Sequence, residues 1–194
     1  SLAVAIILFE GGLTLDFHEI RGAVGVVRNL VTIGLGVTWL VGALAAHLIV
    51  GLGWRPAILL GSILVVTGPT VILPLLRHVR PSGAVAGVLK WEGIVIDPIG
   101  ALFAVLVFEV AITGGEQATA HVAWALFMTV VVAGALGGLG ALLLGVAIRR
   151  FWIPDYLHNL VALSVVAIVF AVSNRMQDES GLFAVTVMGI ALAN

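Results

Sequence analysis

Long apolar runs separated by short polar breaks set the pattern of this chain. The runs cover roughly residues 1–15, 30–53, 56–76, 84–108, 122–148, 157–173 and 180–194. A helix that crosses a bilayer needs about 20 mostly apolar residues. The five middle runs predict spanning helices, and the two outer runs read as truncated ones. The breaks are short, so neighbouring helices are expected to run antiparallel. The opening "SLAVAIILF" lacks the basic n-region of a signal peptide, and both ends fall inside apolar runs. The chain is therefore expected to be an internal piece of a longer membrane protein. The stretch "GALGGLGALLLG" at 134–145 repeats small residues at helical spacing. That spacing predicts close packing between helix backbones.

Composition sharpens the class. The chain is 61% hydrophobic and 10% charged, against about 45–50% and about 25% in soluble domains. This is an integral membrane composition. The net charge of −1 offers no basic excess for nucleic acid, and there is no cysteine for thiol chemistry. The cations are distributed unevenly. Arg21, Arg28, Arg77, Arg80, Arg149 and Arg150 follow the first, third and fifth runs, and Lys90 stands at the mouth of the fourth. The alternate breaks hold only Arg55 and Arg175, with Glu116, Asp178 and Glu179. Lys and Arg favour the cytoplasmic side, so the first set is expected to face inward.

Two features interrupt the apolar pattern where it should be most uniform. The fourth run, inside "KWEGIVIDPIGALFAVLVFE" at 90–109, carries Asp97 followed by Pro98. An ionisable residue deep in a spanning helix costs on the order of 3 kcal/mol on insertion scales, and it needs a partner or a purpose. Pro98 lacks an N–H, so the carbonyl of Ile94 loses its helical partner. A carboxylate beside a freed carbonyl is a hard-oxygen setting, suited to a small cation or a proton. The plainer alternative, a hydrogen bond to a neighbouring helix, leaves the adjacent proline unexplained. Glu92 projects about 140° away from Asp97 and about 7.5 Å back along the axis. The two do not chelate one ion on a straight helix. Glu92 stays open between a structural ion pair, with Lys90 or a more distant arginine, and support for the site.

The third run reads "AILLGSILVVTGPTVILPLLR" at 57–77. Pro69 and Pro74 free the carbonyls of Val65 and Thr70. Gly68 weakens the helix between them, and Thr67 and Thr70 offer hydroxyls. Broken backbone at membrane depth is tolerated where it faces protein or water, and transporters place ion sites at such breaks. The run is expected to open around Thr67–Thr70 and to share one polar cavity with Asp97. Glu10 precedes two glycines near the inner end of the first run and, by residue type alone, is an interfacial carboxylate. Glu109 and Glu116 bracket the outer end of the fourth run as solvated groups. His47 reads as a hydrogen-bonded helix residue. Trp39, Trp54, Trp91, Trp124 and Trp152 read mostly as an interfacial belt.

Taken together, "LFEGGL", "TGPTVILPLLR", "WEGIVIDPIGA" and "SGLFAVTVMGIALAN", in this order and spacing, resemble the sodium/proton exchanger superfamily in its monovalent cation–proton antiporter branch. The resemblance covers essentially the whole chain. It implies an all-α integral membrane protein: a multi-helix antiporter fold of about thirteen helices, with inverted repeats and discontinuous helices, assembled as a homodimer. Only part of that fold is present. The seven runs would be helices three to nine, residues 30–108 would form the first inverted repeat, and the second would follow Asn194. By position, Asp97 matches the family's ion- and proton-binding aspartate. Thr67 matches the threonine at the helix break. Glu92 matches a glutamate that pairs with an arginine of the second repeat. Glu10 matches a glutamate that approaches the cation in some members. Ile96 stands where the family usually has Asn, Gly68 where it usually has Asp, and Gly93 where many members have Ser.

The resulting expectation is a transporter and not an enzyme, exchanging protons for a monovalent cation, Na+ or K+, in a plasma or bacterial inner membrane. Asp97, Thr67 and Thr70 would bind the cation or proton, with Asp97 as the metal ligand. Glu92, Glu10, Pro69, Pro98 and Gly68 would support them. No cofactor beyond the transported ions is expected, and no nucleic-acid partner. An ion channel would need rings of oxygens or charges along a pore, and no repeated filter motif is visible. A non-transporting scaffold would account for the glycine-rich packing but not for Asp97–Pro98 beside "TGPT".

Overall fold

Apolar runs this long fold as helices because hydrocarbon offers no partner to backbone polar groups, which must then be satisfied within the segment. The computed structural model describes the backbone of residues 2–18, 22–113, 116–177 and 180–194. It describes all of their side chains except those of 69–70, 73, 112–113, 116–123 and 126. Among the described residues the regular structure is entirely helical. The α-helices are α1 (Leu2–Leu13), α2 (Val24–Asn29), α3 (Leu35–Leu48), α4 (Trp54–Ile63), α5 (Pro69–Val79), α6 (Gly83–Thr113), α7 (Glu116–Arg149), α8 (His158–Met176) and α9 (Ser180–Ala193). A π-helical turn, Leu30–Gly34, joins α2 to α3. Four stretches of the described chain are long and apolar enough to cross a bilayer: Val24–Leu48, Gly83–Ala111, Phe127–Arg149 and Asp155–Met176. The chain is thus all-α, multi-pass and integral to the membrane.

The chain divides into two compact units, residues 1–17 with 127–194, and residues 18–126. In the first, α1 packs most extensively on α9, and glycine is what permits it. A Cβ on Gly12 would meet the Thr186 carbonyl oxygen at 2.9 Å, and one on Gly189 the Phe9 carbonyl oxygen at 2.5 Å. Leu8, Phe9, Leu144, Val166, Val185 and Met188 are buried around this crossing. Asn194 fastens the end of α9 to the chain after α1. Its Nδ2 donates to the Leu15 carbonyl at 2.9 Å, and its Oδ1 accepts from the Phe17 amide at 2.9 Å. The α8–α9 turn is held by buried hydroxyls, with Ser173 Oγ and Ser180 Oγ 2.6 Å apart.

In the second unit α3 and α4 form a tight helical hairpin, and α4 and α5 both lie against α6. Gly51, at φ +78°, makes the turn after α3. His47 spans that turn. Its Nδ1 lies 2.7 Å from the Leu52 carbonyl oxygen, and its ring stacks on Trp54 at 4.0 Å. The reading of His47 as a hydrogen-bonded helix residue therefore holds. The tryptophans divide. Trp54, Trp124 and Trp152 are exposed, but Trp91 is buried. Trp39 donates its indole N–H to the Ile58 carbonyl at 3.0 Å and meets Phe103 edge-on at 5.0 Å. Those two are packing residues, not belt residues.

The third run is discontinuous, with different bounds from those expected. Residues 64–68 separate α4 from α5, and helix resumes at Pro69. Thr70 is therefore helical, not part of the break. The reason is proline's place in a helix: it is favoured at the first helical position, where its missing N–H removes no bond. Pro69 starts α5 and does not interrupt it. Pro74 lies inside α5 and Pro98 inside α6, and both helices continue through them. Gly68 has φ −72° and ψ 149°, an extended conformation open to any residue, so the break does not depend on glycine's freedom there.

Candidate functional site

Helical arithmetic decides what α6 presents to the break. Gly93, Asp97 and Gly100 are separated by four and three residues, so Asp97 lies about 40° from Gly93 and about 60° from Gly100 around the axis. All three share one face. That face meets the third run at both ends. A Cβ on Gly93 would lie 3.1 Å from Ile72 Cγ1, in the first turn of α5, and one on Gly100 would lie 2.6 Å from Val66 Cγ2, inside the break. A third contact is polar: Thr67 Oγ1 donates to Glu92 Oε1 at 3.2 Å. Val66 at Gly100 and Thr67 at Glu92 are consecutive residues whose contacts lie eight residues apart on α6, about 12 Å along its axis. The non-helical segment 66–68 therefore runs beside the stretch of α6 that carries Asp97.

Asp97 is half-buried, and it has no hydrogen-bond or ion-pair partner among the described residues. Pro98, next to it, is buried. Glu92 is half-buried and Thr67 exposed. The side chains of Pro69 and Thr70 lie outside the described ones, so only their backbone, in the first turn of α5, can be placed. Gly68 is the N-cap of α5 and supplies no side-chain cap. Glu10 is an exposed residue of α1, in the other compact unit. Glu109 is exposed in the last two turns of α6, and the side chain of Glu116 lies outside those described. No three His, Asp or Glu side chains converge among the described residues.

The structure thus sets Val66 and Ile72 against the face of α6 that carries Asp97, and ties Thr67 to Glu92 on a different face of the same helix. Val66, Ile72 and Gly100 were not singled out from the sequence, and Gly93 was noted only as standing where many relatives have Ser. Their signal was present in the spacing. Two glycines seven residues apart flank the intramembrane acid, and that spacing puts both on its face.

The sodium/hydrogen exchanger, transmembrane, family profile matches residues 1–194. The K(+)/H(+) antiporter NhaP of Alkalimonas amylolytica is 30% identical over 201 residues, which cover 100% of this chain and 34% of that protein. The K(+)/H(+) antiporter NhaP2 of Shewanella oneidensis is 25% identical over 195 residues, again 100% of this chain and 34% of that protein. Sodium/hydrogen exchanger 8 of Arabidopsis thaliana is 23% identical over 201 residues, covering 100% of this chain and 26% of that protein. The chain spans about a third of the length of the first two relatives. With the match running over every residue of an all-helical, multi-pass chain, the protein belongs to the sodium/hydrogen exchanger transmembrane family.

Proposed function

We propose that the full-length protein exchanges protons for a monovalent cation by alternating access, as a membrane transporter and not an enzyme. Asp97 carries either a proton or the cation, and competition for that one carboxylate couples the two fluxes. The observation that supports this most is the opened segment 64–68 and the turn that follows it: Val66 against Gly100 and Ile72 against Gly93 bracket Asp97 on a single face of α6. A lone carboxylate needs more oxygens to hold a cation, and an unwound backbone offers carbonyls that a helix would occupy. Pro69 and Pro98 contribute by lacking the N–H that would engage the carbonyls of Val65 and Ile94. Thr67 and Thr70 supply hydroxyls, and Gly68 joins them without adding bulk. Glu92 steadies the break through Thr67 and is expected to meet an arginine of a second repeat.

Residues 30–108 form the first of two inverted repeats in this reading, and the protein works as a homodimer in a plasma or bacterial inner membrane. The arginine-rich breaks face the cytoplasm. K+ is the first cation to test, since relatives at 30% and 25% identity carry that ion in their names, with Na+ beside it. In everted vesicles containing the full-length protein, adding K+ or Na+ should dissipate a preset proton gradient. Asp97→Asn, which keeps the shape but not the charge, should abolish that response at equal membrane abundance. Exchange at the wild-type rate in this variant would remove Asp97 from the mechanism.

A further inference from the structure

The discontinuous segment is seated in α6 like a key with two teeth. Val66 fills the space above Gly100, and Ile72 fills the space above Gly93. We infer that these seats fix the height of the extended backbone against Asp97, so that the combined volume of residues 66 and 100 sets the affinity for the transported cation. This rests on the reading of Asp97 as the carrier.

The two seats differ in how closely they fit. At Gly100 an added Cβ would clash with Val66 Cγ2 at 2.6 Å, while the Val66 Cβ and Cα stand at ordinary contact distance, 3.7 and 3.8 Å. Valine is stiff about χ1, so a methyl at position 100 pushes on the main chain of the break itself. At Gly93 an added Cβ would meet Ile72 Cγ1 at 3.1 Å, with its Cβ at 3.4 Å and Cγ2 at 3.5 Å, so this seat has half an ångström more room than the one at Gly100. Val66 and Thr67 lie outside helix, and helical bonding resumes where the Val71 and Ile72 amides donate to the Gly68 carbonyl at 3.2 and 3.4 Å. Ahead of that turn, packing at Gly100 and the Thr67–Glu92 hydrogen bond locate the non-helical backbone. Carbonyls aimed at a cation lose affinity when moved, and a displacement of about 1 Å at a reacting centre costs up to about 10²-fold. Gly100 and Val66 are positioning residues, acting on the cation through the backbone they locate.

The test uses full-length protein in everted vesicles, with KM and Vmax for K+ and Na+ measured separately. Gly100→Ala and Val66→Ala should each raise the cation KM about tenfold, within the span that such a displacement allows, while Vmax stays near wild type. Gly93→Ala should have a smaller effect than Gly100→Ala. The double variant Gly100→Ala/Val66→Ala, which adds one carbon at position 100 and removes the Cγ2 it would strike, should reverse much of the KM increase caused by Gly100→Ala. Val105→Ala, on α6 but outside the seats, should leave both parameters unchanged. Unchanged KM in Gly100→Ala and Val66→Ala, or a fall in Vmax alone, would overturn the inference. Should Gly100→Ala fail to accumulate, Val66→Ala decides by the same criterion. The Asp97→Asn arm separates the two readings. Loss of exchange there with unaltered KM in the seat variants rejects only the seats, whereas full exchange in Asp97→Asn rejects the carrier.

Discussion

Gly68 stands at the N-cap of α5, where Asp, Asn, Ser or Thr would accept a hydrogen bond from the first turn. It makes no such bond. Its φ of −72° and ψ of 149° suit an aspartate without strain. Gly68→Asp therefore has two opposing consequences. Capping stabilises α5 by about 1 kcal/mol, but a carboxylate exposed to lipid costs on the order of 3 kcal/mol. The sign of the change reads the surroundings of the break. In the proposed transporter the break faces a hydrated cavity, so Gly68→Asp should raise the thermal midpoint of the full-length protein in detergent. A clear drop would mean that the break faces hydrocarbon. The same residue shows the limit of residue-level reading. Glycine next to proline suggested an opening, and the opening is there. Yet its extended backbone is one that any residue adopts, so the cause is not glycine's freedom. The cause is proline at the start of α5, which fixes where helix can resume.

At the scale of elements, glycine does set the packing in the other compact unit. A Cβ on Gly189 would meet the Phe9 carbonyl oxygen at 2.5 Å and Gly12 Cα at 3.1 Å, whereas one on Gly138 would meet nothing within 4 Å. Gly189→Ala must therefore move α1 away from α9 and should destabilise by about 1–3 kcal/mol, as overpacking does. Gly138→Ala should be neutral or slightly stabilising, since alanine is the better helix former. Equal thermal midpoints for the two variants would refute the backbone contact. The end of α7 gives an opposite case. Phe151 takes φ +54° just beyond the helix, and the Trp152 amide bonds back to the Ala147 carbonyl at 3.1 Å. That position suits glycine, and a side chain there costs about 1 kcal/mol or more. Phe151→Gly should raise the thermal midpoint. Most helices were legible because each needs only its own apolar run. Their ends were less so: α6 and α7 reach Gly83–Thr113 and Glu116–Arg149, beyond the apolar stretches that announced them. The seat of Val66 at Gly100 was not legible, because a contact across 34 positions leaves no mark in either local pattern. The π-helical turn Leu30–Gly34 left none either. Its sequence is apolar like its flanks, and only the backbone reveals it.

For the whole molecule, the decisive count is of carboxylates at one depth of the membrane. The opened segment carries no acid, because Gly68 stands there, and α6 contributes Asp97 on the face that meets it. Glu92, on a different face, is engaged by Thr67. A single carboxylate that is neutral with a proton and neutral with a monovalent cation moves no net charge when it exchanges one for the other. Two consequences follow together for the proposed antiporter. An imposed membrane potential should leave the exchange rate unchanged. The apparent cation KM should rise in proportion to proton concentration as pH falls through the pKa of Asp97, because both ions compete for one group, and it should level off above that pKa. Vmax at saturating cation should be far less affected over the same range, because excess cation displaces the proton. Reconstituted full-length protein in vesicles with clamped potential gives both readings in one series. A KM that stays flat across the whole active pH range would require separate proton and cation sites. A rate that follows the potential would require a second charge to travel with the cation, and neither result is compatible with Asp97 as the sole shared carrier.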